Sequence, residues 1–143
     1  MPVLVRTMGT RGRGVRADVL ARRAERMLRA VGRPRAELSV LLCDDATIRA
    51  LNRRWRQIDA PTDVLAFPLT EGSPEDGAPL GDVVVSVDTT RRQAQELGAA
   101  IASRATFLLA HGLLHLLGYD HRDRAEERRM AAMTDALVAA SRG

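Results

Sequence analysis

TFLLAHGLLHLLGYDH, residues 106–121, decides how the rest of the chain is read. Phe107, Leu108, Leu109, Leu113, Leu114, Leu116 and Leu117 make the run apolar on nearly every side, as in a helix buried within a core. His111 and His115 stand four residues apart. At 3.6 residues per turn they share one face. Gly118 marks the helix end, because glycine takes the left-handed cap without strain. After that turn His121 can swing back toward the pair. All three histidines of the chain therefore fall within eleven residues.

Three imidazoles so arranged suit a divalent metal, zinc above others, with one tetrahedral position left for water. The plain alternative is three ordinary histidines used for packing or capping. It is disfavoured because unpaired imidazoles in an apolar helix are costly. The spacing also meets the zinc-protease pattern HExxHxxGxxH at every position but one. Gly112 stands where that pattern has its glutamate base. A zinc metallopeptidase is thus an alternative that lacks its base.

The 143 residues are enough for one domain with a real core. No apolar run reaches membrane-spanning length, and the first residues lack the hydrophobic segment of a signal peptide. A single cysteine, Cys43, excludes an internal disulfide framework and reads as a small buried hydrophobe at a strand end. A cytoplasmic protein without membrane contact is expected. Every basic residue is an arginine. Residues 1–35 hold ten arginines and two acids, a net +8. The remaining 108 hold twelve arginines and sixteen acids, a net −4. This asymmetry favours a polyanion, since arginine forks match phosphates. Aromatic residues are scarce, so no base-stacking platform is evident.

Outward from the histidines, residues 3–6 read as a first strand and residues 9–14 as a basic loop. Residues 18–31 have helical spacing, with an apolar stripe from Val19, Leu20, Ala24, Met27, Leu28 and Val31. Arg22, Arg23, Arg26 and Arg29 make the rest of that helix a solvated face or a surface lying along RNA. Residues 38–43 form a continuous apolar strand. Asp44 or Asp45 caps a helix over residues 46–54, and Arg56 follows just beyond it. Residues 64–67 form a strand, residues 70–79 a mobile loop, and residues 83–87 another strand. Asp88 caps a helix over residues 89–97, Gly98 interrupts, and residues 100–117 carry the first two histidines. A last helix spans residues 123–140, with Met130, Met133, Leu137 and Val138 inward. Four strands and about five helices indicate a layered α/β or α+β domain, with parallel neighbours joined by helical crossovers near both ends.

HGLLHLLGYDH, residues 111–121, resembles the signature of the YbeY family, zinc-dependent endoribonucleases of ribosomal RNA maturation. LNRRWRQIDAPTDVLAFP, residues 51–68, and LGDVVVS, residues 80–86, resemble two further blocks of that family. With the terminal helix around Met130, the likeness covers nearly the whole chain. Ala66 departs from the usual serine, and Ala131 stands where an acidic residue is common. The resemblance implies one α+β domain over residues 1–143, with a mixed, mostly parallel four-stranded sheet. It implies one zinc ion held by His111, His115 and His121, and a functional arginine at Arg56. It also implies processing at the 3′ end of 16S rRNA, ribosome quality control, and partnership with ribosomal RNA, the small ribosomal subunit and its proteins.

In that frame zinc acidifies water and stabilises charge on a phosphoryl oxygen, while Arg56 pairs with a phosphate. Asp63 and Asp82 orient ligands or, more plainly, hold backbone turns. Asp120 orients the last ligand or caps its turn. Trp55 and Tyr119 could stack on a base, but burial is the expectation for both. No side chain offers an obvious general base, so attack by water and attack by the RNA 2′-OH both stay open. A ribosome-assembly factor with a purely structural metal is the non-enzymatic alternative.

Overall fold

Strand and helix alternate down most of the chain. A computed structural model describes residues 3–9, 14–70, 74–120 and 122–142. The elements are β1 (Val3–Met8), α1 (Ala17–Ala30), β2 (Glu37–Cys43), α2 (Asp45–Arg56), β3 (Val64–Pro68), β4 (Pro79–Ser86), α3 (Val87–Leu97), α4 (Ile101–Leu116) and α5 (Arg124–Arg142). The strands form one sheet in the order β1-β2-β4-β3. β1 and β4 each run parallel to β2. β3 runs antiparallel to β4 at the other edge. The mixed, mostly parallel sheet with five helices is the α+β domain expected. Of the parallel crossovers expected near both ends, β1–α1–β2 forms, but β3, which follows α2, pairs with β4 instead, and the short link between those two strands closes them antiparallel.

Alternation along the strands divides the core in two. Leu38, Val40 and Leu42 of β2 and Val83 and Val85 of β4 join the larger cluster, with α1, α4 and α5. Cys43, Leu65 and Val84 face the other way, onto Ile48 of α2. α4 is the centre of the large core. Leu109, Ala110, Leu113 and Leu114 are fully buried, which explains why so much of the helix is apolar, with His111 and His115 on its half-buried side. α3 and α4 meet at a 115° bend, where Gly98 takes the left-handed cap at φ +65°. No single helix among the described residues is long and apolar enough to cross a membrane.

Several boundaries move for local reasons. Asp44 caps α2, accepting from Thr47 N at 2.9 Å. α2 continues through Arg56, so that arginine is its last residue rather than one beyond it. Ser86, not Asp88, caps α3, accepting from Thr89 N at 3.2 Å. Asp88 instead accepts from Asp45 N at 3.0 Å. β4 begins earlier than the valine run because Pro79 and Gly81 pair with β2.

The arginine-rich face of α1 is only partly a solvent face. Arg23 Nη1 donates to Thr106 Oγ1 at 2.6 Å, on α4. Arg26 Nη1 donates to Ser141 O at 3.0 Å, on α5. Half of the arginines proposed for solvent or RNA therefore pin α1 to its neighbours. Parts of the loops expected over residues 9–14 and 70–79 lie outside the described residues. Within the second, Asp76 accepts from Arg35 N and Nε at 2.9 and 3.2 Å.

Candidate metal centre

The four-residue spacing on α4 brings two imidazoles together as the helix period requires. His111 Nε2 and His115 Nε2 are 3.1 Å apart, both rings half-buried. Two nitrogens bound to one tetrahedral zinc at about 2.0–2.1 Å stand about 3.3 Å apart. The observed separation thus fits joint ligation of one ion by the two Nε2 atoms. Phe107, one turn earlier on α4, stacks on His111 with ring planes 17° apart. That contact fixes the imidazole orientation from inside the helix.

α4 ends as Gly118 and its bonds dictate. Gly118 has φ +95°, Tyr119 N donates to Leu114 O, and Gly118 N donates to His115 O, both at 3.0 Å. This left-handed turn brings Tyr119 and Asp120 to the cleft that holds the two histidines. His121, the expected third ligand, lies outside the described residues. Among the described residues, no three histidine, cysteine or acidic side chains are grouped as a metal site.

The cleft has a volume of about 580 Å³ and is lined by Arg56, Asp63, Val64, Ala66, His111, Gly112, His115 and the turn 118–120, with Arg122. Arg56 arrives from the last turn of α2, far from α4 in sequence, and lines the same cleft as His111 and His115. Asp63 lines the cleft too, whereas Asp82, on β4 opposite Phe67, does not. Asp120 forms an exposed ion pair with Arg122 at 3.2 Å. Trp55 and Tyr119 are 58% and 38% exposed, so the expected burial is corrected for both. Trp55 projects from the end of α2, where the sheet edge offers only the rim of Phe67. Tyr119 leaves the core with the turn after Gly118.

Gly112 has a packing cause. A Cβ there would stand 2.7 Å from Val83 Cγ1 and 3.3 Å from Val64 Cγ2. α4 lies so close on β3 and β4 that even a methyl group would have to displace Val83. The position that carries glutamate in the zinc-protease pattern thus lines the cleft where α4 meets the sheet, and Val83 and Val64 crowd it.

One connection was not legible in sequence. Asp63 Oδ1 accepts from Val64 N at 2.7 Å, and Oδ2 accepts from Gln93 Nε2 at 3.1 Å. Gln93 Oε1 accepts from Arg104 Nε at 2.9 Å. The Arg104 guanidinium lies 4.6 Å from the centroid of Phe107, the ring that stacks on His111. Contacts therefore run from the Asp63 carboxylate through α3 to the histidine helix. Only the Phe107–His111 spacing, one helical turn, could have been read beforehand.

Comparison with known proteins places the chain in a family. The family model described as Endoribonuclease YbeY matches residues 13–142. An Endoribonuclease YbeY from Anaeromyxobacter sp. (strain Fw109-5) is 50% identical over 140 residues, covering 98% of this chain and 72% of the relative. One from Aquifex aeolicus is 48% identical over 119 residues, covering 82% of this chain and 77% of the relative. The solution structure of a Thermotoga maritima protein superposes with a TM-score of 0.68 at 27% identity, covering 96% of this chain and 89% of that one.

Proposed function

Because the chain belongs to the YbeY endoribonuclease family, we propose that it is a zinc-dependent endoribonuclease that cuts single-stranded RNA during ribosomal RNA maturation, at the 3′ end of 16S rRNA, and in ribosome quality control. The observation that carries this reading is the cleft in which the paired His111 and His115 nitrogens meet Arg56. The proposed unit is one metal-dependent hydrolase domain spanning residues 1–143, and its ribosomal substrate implies a cytoplasmic setting.

His111, His115 and His121 are the proposed ligands of one zinc ion. Bound there, zinc supplies Lewis-acid stabilisation of charge developing at phosphorus and acidifies water. Arg56 holds the scissile or adjacent phosphate in a fork of charged hydrogen bonds. Asp63, already accepting from Val64 N and Gln93, shapes the cleft wall beside them. A recessed site of this kind admits a flexible strand more readily than a stiff duplex. Charge contributes affinity but little sequence discrimination, so the small ribosomal subunit and its proteins select the cleavage position. Gly112 offers no carboxylate base, and a Cβ there would already crowd Val83, which speaks against peptidase chemistry on the protease pattern.

Zinc-loaded protein incubated with immature small-subunit particles, naked precursor RNA, matched DNA and a peptide mixture tests this directly, with every cleavage end mapped. The expected result is one zinc per chain and cuts in RNA that vanish with chelation and with His115→Ala. Arg56→Ala is expected to keep its zinc and lose about a hundredfold in kcat/KM. A 5′-phosphate product would indicate attack by water, and a cyclic phosphate attack by the 2′-OH. RNA cleavage by His115→Ala at the wild-type rate, or peptide cleavage alone, would overturn the proposal.

A further inference from the structure

Trp55 is the chain's only tryptophan, and the fold holds it outside. It occupies the last turn of α2, between Arg54 and Arg56, with 58% of its surface exposed. It is nevertheless braced. Its ring meets Phe67 edge-on, with centroids 6.5 Å apart and planes 66° apart. The Arg54 guanidinium lies 5.2 Å from its centroid. The turn that follows is tied to α2 as well. Asn52 Nδ2 donates to Ala60 O at 2.9 Å, and Arg49 forks onto Asp59 at 2.8 and 3.2 Å. Among the described residues neither Arg54 nor Arg56 makes an ion pair.

An indole carries the largest apolar surface of any side chain, and leaving it in water forfeits that burial. Here it stands between two guanidinium groups that make no ion pair among the described residues, and its neighbour in sequence, Arg56, lines the cleft. We propose that Trp55 is a nucleobase-stacking platform, holding the base next to the phosphate that Arg56 binds. This rests on the ribonuclease reading and adds how the strand is gripped. A nucleotide is the ligand that offers both a flat π-face for the ring and a phosphate for the arginines. Duplex bases have their faces covered by neighbours, so only an unstacked strand can use the platform. Trp55 thereby selects single strands over duplexes without reading sequence.

Tryptophan emission reports on Trp55 alone, which permits a direct test. Zinc-loaded protein is titrated with a single-stranded oligoribonucleotide, the matching duplex, and an abasic oligonucleotide of equal length. Strong quenching is expected with the single strand, and little with the abasic strand, which carries the same phosphates. Trp55→Ala is expected to weaken single-strand binding and raise KM by about tenfold, leaving abasic binding unchanged. Trp55→Phe is expected to recover most of that loss, and thermal melts verify that both variants fold. Equal quenching by abasic and intact strands, or unchanged single-strand affinity in Trp55→Ala, overturns the platform. If RNA is still bound and cleaved in that case, the ribonuclease reading stands and only the platform falls. If wild type neither binds nor cleaves any RNA, both fall together.

Discussion

At residue scale, Gly112 is the position where a small change has the clearest consequence. Its lack of a side chain lets α4 settle onto Val83 and Val64. Alanine there gains about 1 kcal/mol of helix propensity, but displacing the fully buried Val83 costs about 1–3 kcal/mol. A net loss on the order of 1 kcal/mol is expected for Gly112→Ala, read as a lowered denaturant midpoint. Gly112→Glu, which restores the protease pattern, is expected to lose far more. Its Cβ would crowd Val83 and Val64 and the longer chain would press on both, so the expected outcome is a destabilised protein, not a new peptidase. A Gly112→Glu variant as stable as wild type would show that α4 does not need its close approach to the sheet.

At the scale of elements, the amino termini of α2 and α3 meet over the carboxyl ends of β2 and β4. Asp45 joins them. Its carboxylate accepts from Ser86 Oγ at 2.6 Å, Thr89 Oγ1 at 2.7 Å and Arg92 Nη2 at 2.7 Å. Burial alone would raise its pKa, but the bonds from Ser86, Thr89 and Arg92 outweigh that and hold it below the ordinary carboxylate value. Asp45→Ala is expected to cost about 1–3 kcal/mol, because the buried Ser86 hydroxyl loses its acceptor. Asp45→Asn, which keeps an acceptor oxygen, is expected to cost less. Equal melting temperatures for wild type and Asp45→Ala would remove Asp45 from any structural role. The cluster lies on α2, whose other end carries Trp55 and Arg56, so a loosened α2 is also expected to raise KM.

Across the whole molecule, much of the arginine excess is spent within the fold. Arg16, Arg35, Arg49 and Arg92 pair with Asp18, Asp76, Asp59 and Asp45, while Arg23 and Arg26 bind α4 and α5. All four of those aspartates have lowered pKa values. A depressed carboxylate contributes stability above its unfolded pKa, near 3.8, and loses it as pH falls through the folded value. The buried Cys43 thiol acts at the other limit. Burial, with Asp44, Asp45 and Asp88 nearby, raises its pKa from 9.0 to about 12. Its contribution is complete below pH 9.0 and is lost as pH rises toward 12. Urea midpoints are therefore expected to stay level near neutrality and fall on both sides. Cys43→Ala is expected to flatten the alkaline fall alone, and a thiol reagent to label Cys43 only on unfolding. An unchanged alkaline limb in Cys43→Ala would refute that assignment.

What the sequence determined by itself was local and periodic. The His111–His115 pair, the Gly118 stop, the buried character of α4 and the four-strand, five-helix pattern all follow from 3.6-residue and two-residue repeats, within one stretch of chain. Tertiary structure decided what those repeats cannot encode. It closed β3 antiparallel on β4, carried Arg56 and Asp63 to a helix about fifty residues away in sequence, and turned Arg23 and Arg26 inward. It also left Trp55 exposed, against its composition. Each outcome depends on which surfaces meet when α2, α3 and α4 pack on the sheet. That choice is made by contacts between distant residues, and no spacing along the chain records it.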